Sequence, residues 1–106
     1  MRGADVRPTE MNARRVRRVI KDDRVNGVTI SVNEYAPEGD QGEPARAHEC
    51  HEYGLLLEGE LMVEVEGEAY QLGSGDLISF ASPRPHRIWN EGVTVARSIW
   101  VDIDRK

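Results

Sequence analysis

The sequence predicts an all-β fold, an antiparallel sandwich or barrel built from short strands. Apolar and polar residues alternate along several short stretches, which is the period of a half-buried strand. Glycine-containing turn sequences separate these stretches at short intervals, and no stretch has the apolar period of a helix of convincing length. Together these observations favour an all-β domain.

The strands follow in order from this alternation. The clearest covers residues 28–35, where aliphatic residues alternate with polar ones after an Asn26-Gly27 turn. Residues 37–44, rich in glycine, proline and charge, are predicted to form a loop. The predicted strands are 16–22, 28–35, 53–57, 61–65, 70–72, 77–80, 86–90 and 93–102. Closing such strands into a double-stranded jelly-roll β-barrel removes exposed sheet edges and leaves an interior that can hold one small ligand.

Size and charge divide the chain into an arm and one barrel domain. A chain of 106 residues is one domain by size. Residues 1–24 carry eight Lys or Arg against four Asp or Glu, a charge of +4, whereas residues 25–106 carry −9. We therefore expect an N-terminal arm at residues 1–24, partly flexible or exchanged as a strand within a dimer, and a β-barrel at residues 25–106.

The charge distribution also bears on partners. An acidic barrel argues against binding to nucleic acid. The basic run at residues 14–18 is interpreted as a solvated strand or arm, with a nucleic-acid contact as the alternative. No apolar run is long enough to cross a bilayer, and the N-terminus has no apolar stretch of the signal-peptide type, so we expect no membrane contact and a cytoplasmic location. The single cysteine, Cys50, agrees with a reducing compartment.

Potential metal ligands concentrate in two short clusters. All three histidines of the chain, His48, His51 and His86, fall within them, and Glu52 lies beside the first two. Neutral imidazoles with a carboxylate are the usual ligands of a divalent transition metal, but they do not distinguish zinc, iron, manganese and nickel. The alternative is that these histidines form hydrogen bonds inside a barrel that holds no metal and binds only an organic ligand.

Strand geometry decides which of these side chains can meet. In a strand that starts at His86, the side chains of His86 and Asn90 share one face and can both point into the barrel. The direction of His51 stays open, because a turn between His48 and Glu52 would break the alternation.

The pattern resembles the cupin superfamily over roughly residues 25–102. The residues that match the two cupin motifs in order and spacing are Gly42, His48, Glu52, Gly59, Gly75, Asp76, His86 and Asn90. The resemblance implies a jelly-roll barrel and assigns metal ligation to His48, Glu52 and His86, with His51 as a further candidate. Arg46 stands where the family has its first histidine, and its positive charge would oppose a cation but suit an anionic ligand group. Arg46 and Asn90 are therefore the candidate ligand-binding residues.

The resemblance implies two functions. The first is a small single-domain cupin that binds a divalent metal ion and a small organic molecule, with catalysis of a metal-dependent reaction left open. The second is a metal-free ligand-binding or sensor module, because residues 57–101 look like the sensor cupin domain of bacterial transcription regulators. Residues 1–24 are too short for a helix-turn-helix domain, so a sensor would work with a separate regulatory partner. A homodimer is expected in both cases, since cupin-like barrels commonly pair.

Overall fold

The structure, a computed structural model, describes residues 10–11, 15–37, 50–81 and 85–104. Within these ranges the chain forms nine strands, all paired antiparallel, and no helix that could cross a membrane. The strands are β1 Glu10–Met11, β2 Arg15–Asp23, β3 Val28–Tyr35, β4 Cys50–Glu58, β5 Leu61–Val65, β6 Glu68–Leu72, β7 Leu77–Ala81, β8 His86–Trp89 and β9 Ala96–Asp104.

Two sheets face each other across the core. The larger has the strand order β1-β2-β3-β9-β4-β7, and the smaller has the order β6-β5-β8. Aliphatic and aromatic side chains from both sheets meet between them, including Leu56 and Trp100 from the large sheet and Leu61 and Val63 from the small one. This architecture confirms the predicted jelly-roll barrel.

The strand bounds follow the sequence prediction closely at β3 and β5 and differ at two informative places. The last strand begins at Ala96 rather than at residue 93, because Asn90 hydrogen-bonds to Gly92 and Thr94 and holds that stretch in a bend. The strand predicted from residue 53 begins at Cys50 and runs without a break to Glu58. Consequently no turn interrupts the alternation of side chains at the start of β4.

Strand β2, which lies within the segment predicted as an N-terminal arm, belongs to the large sheet of the barrel. It pairs antiparallel with β3 of the same chain from Arg15 to Asp23, with an irregularity between Val19 and Lys21. The turn between the two strands is held by a hydrogen bond from the Asp104 amide to the Gly27 carbonyl, 2.7 Å. A division of the chain at residue 24 therefore falls inside a β-hairpin.

The two central strands of the large sheet turn polar residues inward. Ser31 and Asn33 of β3 and Ser98 of β9 are all buried. The aliphatic residues between them are half-buried or exposed on the outer face, and they are Val28, Ile30, Val32, Ile99, Val101 and Ile103. An antiparallel sheet with one solvated face usually packs its apolar face on the core and turns its polar face to water. Compared with such a sheet, the inner face here is more polar and the outer face more apolar.

Trp100 fills the middle of the interior and requires a glycine opposite it. Its partner across the β4–β9 pairing is Gly54, where an added Cβ would lie 2.5 Å from Cη2 of the indole. The indole N–H donates to the Ser98 hydroxyl at 2.9 Å. The absence of a side chain at Gly54 thus allows a large aromatic ring to lie flat against β4.

Candidate ligand site inside the barrel

Glu52 lies on the inner face of β4. Alternation along this strand directs Cys50, Glu52, Gly54 and Leu56 toward the core, and Cys50 and Leu56 are each 1% exposed. The neighbour of Glu52 across the pairing with β7 is Phe80, which is also buried. A carboxylate is thereby held beside an aromatic ring, with its side chain 13% exposed.

His86 opens β8 in the opposite sheet. It pairs with Val65 of β5, and the amide of Glu66 donates to the carbonyl of Pro85 at 2.9 Å, which sets the start of the strand. The imidazole packs against Phe80 with ring centroids 5.0 Å apart, and its Nε2 atom lies 3.8 Å from Oε2 of Glu52. The fold thus brings together two residues that are far apart in the sequence.

His51 lies on the other face of β4, so it does not join Glu52. Its ring packs against Tyr53, two residues along the same face, with centroids 4.9 Å apart. Because β4 is continuous from Cys50, adjacent residues point in opposite directions. The structure therefore does not bring His51 together with Glu52 on the inner face, because β4 contains no turn at this point.

Asn90 is fully engaged in supporting the backbone. Its Nδ2 atom donates to the carbonyls of Tyr35, at 3.0 Å, and Thr94, at 2.8 Å, and its Oδ1 atom accepts from the amide of Gly92 at 2.8 Å. The residue is 1% exposed. These contacts give Asn90 a structural role, and its assignment as a ligand-binding residue stays a prediction.

Arg46 and His48 lie outside the described residues. Within the ranges that are described, no three His, Cys, Asp or Glu side chains converge as a metal site would require. Glu52 and His86 nevertheless provide a carboxylate and an imidazole at one buried point, which is a suitable part of a ligand set for a divalent transition metal. The residues present fit a metal on which at least one further ligand, such as His48, must converge.

Several polar residues of the interior belong to no motif in the sequence. Arg15 and Arg17 of β2 pair with Tyr35 and Asn33 of β3, whose side chains are buried in the barrel, so both arginines are on the inner face. Arg17 Nη2 lies 3.9 Å from Oδ2 of Asp102. The sequence predicts a strand at residues 16–22, but the clustered positive charge of residues 14–18 favoured its interpretation as a solvated strand or arm.

Tyr35 places its hydroxyl among these charges. Burial raises the pKa of the hydroxyl, and the Glu52 charge adds to the rise, whereas Arg15 and the Asn33 side chain act to lower it. Burial dominates, so the hydroxyl keeps its proton at neutral pH. Arg15 and Glu52 therefore both lie close enough to the Tyr35 hydroxyl to influence its pKa.

A cleft of about 280 Å³ lies between strand β7 of the large sheet and the β5–β6 hairpin of the small one. Val65, Ile78 and Phe80 form its apolar wall, and Glu66 and Glu68 lie at its acidic side. Val65 and Phe80 are also neighbours of His86. The cleft therefore comes within one side chain of the Glu52–His86 pair.

Comparisons with known proteins agree with this architecture. A family model described as "Cupin domain" matches residues 31–102. No match was found among curated proteins. Among solved structures, the chain is similar to the cupin domain of an XRE family transcriptional regulator from Enterobacter cloacae, with 19% identity and a TM-score of 0.76 over 87% of this chain and 98% of that one.

Two further structures represent different kinds of protein. An HTH_3 family transcriptional regulator from Vibrio cholerae shares 19% identity, with a TM-score of 0.74, over 88% of this chain and 52% of that one. An oxalate oxidase shares 22% identity, with a TM-score of 0.65, over 74% of this chain and 42% of that one. At these identities the likeness shows the fold and does not choose between a regulator and an enzyme.

Proposed function

Because the chain belongs to the cupin family, we propose that it binds a divalent transition metal and a small organic molecule inside the barrel. The metal ligands are Glu52, His86 and, from outside the described residues, His48. The observation that carries the proposal is the approach of His86 Nε2 to Glu52 Oε2, 3.8 Å, from opposite sheets at a nearly buried point.

The distance is compatible with a shared ion. Two ligand atoms about 2.1 Å from one metal stand roughly 3.0–3.5 Å apart at octahedral or tetrahedral angles, so a small rotation of either side chain suffices. A bound metal would polarise a carbonyl or hydroxyl oxygen of the organic molecule. The protein's part is to hold the imidazole and the carboxylate in a site that excludes water, and the cleft near His86 would admit the molecule.

Elemental mass spectrometry of the purified protein tests the metal. We expect about one divalent transition ion per chain in the wild type and a large loss in His86→Gln and in Glu52→Gln. His51→Gln is the matched control, because that imidazole lies one residue from Glu52 but on the outer face. Equal metal content in all four proteins, or none in the wild type after incubation with zinc, iron, manganese and nickel salts, would overturn the proposal.

A metal-free ligand sensor is the second candidate function. It is supported by similarity to the cupin domain of the Enterobacter cloacae regulator, of which this chain covers 98%. Such a module would pass its ligand state to a separate regulatory partner. Ligand affinity that stays the same after the metal is stripped with a chelator would favour the sensor, whereas affinity that disappears would favour the metal-dependent protein.

We further propose that the protein is a homodimer that pairs through the outer face of β3, β9 and β4. Nine outward positions there form a block that is apolar except for His51, and its members are Val28, Ile30, Val32, Ile99, Val101, Ile103, His51, Tyr53 and Leu55. Two of them are exposed, Tyr53 and Ile103, each at 39%, and the other seven are half-buried. Exposed apolar patches of this kind are typical of interaction sites.

The size and rim of this face suit a second copy. Three strands with three outward residues each cover roughly 14 by 20 Å, which would form the apolar centre of an interface of about 800 Å² per partner. A charged row borders it, in which Arg97 lies 3.4 Å from Glu34 and 3.9 Å from Glu58. A row that carries both signs can pair with itself across a two-fold axis.

Light scattering coupled to size-exclusion chromatography tests the dimer. Val101→Asp places a charge at the centre of the block and should give monomers, whereas Val93→Asp, at an 81% exposed loop position, should leave the dimer intact. Circular dichroism confirms that both variants fold. A folded Val101→Asp protein that is still dimeric, or a monomeric wild type, would contradict the proposed interface.

A further inference from the structure

We propose that the barrel interior recognises a small organic carboxylate through Arg15 and Arg17 of β2, with Tyr35 and Asn33 of β3 completing the site. The inference rests on the proposed function only in that the interior takes a small molecule. It goes further by naming the chemical class of that molecule and by assigning recognition to a strand that precedes the matched family region, residues 31–102.

The register of the β2–β3 hairpin places the four residues side by side. Arg15 lies opposite Tyr35, and Arg17 lies opposite Asn33, with all four on the inner face. Tyr35 and Asn33 are 3% and 5% exposed, so the arginines of the neighbouring strand extend along a buried surface. Arg17 reaches Asp102 of β9. Two half-buried arginines thus lie on the inner face of the large sheet.

Two buried polar atoms at this surface have unused hydrogen-bonding capacity. Among the described residues, neither the Tyr35 hydroxyl nor the Asn33 Oδ1 atom makes a hydrogen bond of good geometry, although Arg15 and Asn33 come close enough to the hydroxyl to lower its pKa. Leaving a buried polar atom unsatisfied destabilises the folded state, so native proteins keep few such atoms, and each one calls for an explanation such as a bound water, ion or ligand. The hydroxyl can donate to an anionic oxygen, and the Asn33 oxygen can accept from a hydroxyl group on the same molecule.

The charges around these atoms select the kind of anion. A guanidinium group presents parallel N–H donors that match a carboxylate. Glu52 and Asp102 are opposite each other on β4 and β9, and their negative charges face the same interior. In the metal-stripped protein both carboxylates oppose an anion, and they oppose a doubly charged phosphate more strongly than a singly charged carboxylate, which the guanidinium groups favour. The charges therefore favour a carboxylate over a phosphate. The hydroxyl group of a hydroxy acid could also donate a hydrogen bond to Asn33 Oδ1.

Isothermal titration calorimetry with matched anions and amides tests this assignment. The probes are acetate, lactate and succinate, their uncharged counterparts acetamide, lactamide and succinamide, and inorganic phosphate. We expect saturable binding of at least one carboxylate, with lactate strongest, and at least tenfold weaker binding of its amide and of phosphate. If phosphate binds more tightly than all three carboxylates, or if none of these binds, the assignment of a carboxylate ligand is overturned.

Variants identify the residues responsible. Arg15→Gln should weaken lactate binding at least tenfold, and Tyr35→Phe, which keeps the buried ring and removes only the hydroxyl, should weaken it about threefold or more. Arg18→Gln is the control, because Arg18 is on the outer face of the same strand and pairs with Glu34. An effect of Arg18→Gln as large as that of Arg15→Gln, or unchanged affinity in both Arg15→Gln and Tyr35→Phe, would refute the site.

Metal content separates this inference from the proposed metal site. Each variant is measured by elemental mass spectrometry and titrated in both metal-loaded and stripped forms. A normal metal content without carboxylate binding would defeat the inference and leave the metal proposal intact. If the protein never takes up metal but binds a carboxylate in a way that depends on Arg15, the metal proposal fails and the inference about the carboxylate stands.

Discussion

Replacement of Asn90 by alanine should destabilise the barrel strongly, because this buried side chain joins strand β3 to the loop before β9 through three hydrogen bonds. It donates to the carbonyls of Tyr35 and Thr94 and accepts from the amide of Gly92. A hydrogen bond contributes about 0.5–1.5 kcal/mol net to stability, so the loss of three predicts about 3 kcal/mol. The Tyr35 carbonyl lies in the core strand β3, so water cannot readily replace the amide as its partner.

Urea denaturation followed by tryptophan fluorescence measures this loss, with the slope of the transition expected to stay unchanged. Asn26→Ala is the matched control, because Asn26 bonds to Asp23 in an exposed turn and its loss should cost less than about 1 kcal/mol. A loss below about 1 kcal/mol in Asn90→Ala, combined with weaker ligand binding, would refute the structural role and support Asn90 as a ligand-binding residue.

Two further predictions test the packing and the charge of the large sheet. Gly54→Ala should cost about 1–3 kcal/mol, because the new Cβ would lie 2.5 Å from the Trp100 ring, whereas Gly73→Ala, whose Cβ would meet only a side-chain atom at 3.7 Å, should cost less in the same urea assay. Burial acts to raise the pKa of the Glu34 carboxyl. Hydrogen bonds from Arg18 and Arg97 outweigh burial and lower the pKa below its usual value of 4.5. The stability from this carboxylate is therefore present above pH 4.5 and is lost as the pH falls through the folded-state pKa, so Glu34→Gln should lose less stability than the wild type between about pH 6 and about pH 3.5. An equal acid-induced loss in both proteins would contradict the assigned pKa shift.

The strands could be predicted from the sequence because their signals are local. Alternation and turn residues located β3 and β5 at their observed bounds, and the remaining predicted strands differ from the observed ones mainly at their ends. The start of β4 was missed because the sequence before Tyr53 is polar and contains no aliphatic residue that would extend the apolar alternation. Backbone pairing with β7 and β9, which the alternation does not report, extends that strand back to Cys50.

The candidate site was only partly accessible to sequence reasoning. The residue types identified Glu52 and His86 as candidates, but their approach to 3.8 Å depends on the packing of one sheet on the other. The same types also suggested His51, whose position next to Glu52 in one continuous strand directs it to the opposite face. Asn90 matched a motif position, and only its three backbone partners reveal what the side chain does.

The sequence by itself determined the fold class, the strand positions and the residues that share a face, because each depends on a period of two along the chain. The tertiary structure alone decided which face is inside. In β3 the interior receives Ser31 and Asn33 rather than the aliphatic residues, and in β2 it receives Arg15 and Arg17. Alternation along a strand defines two faces but does not say which of them is buried. One face becomes the core only when the second sheet packs against it.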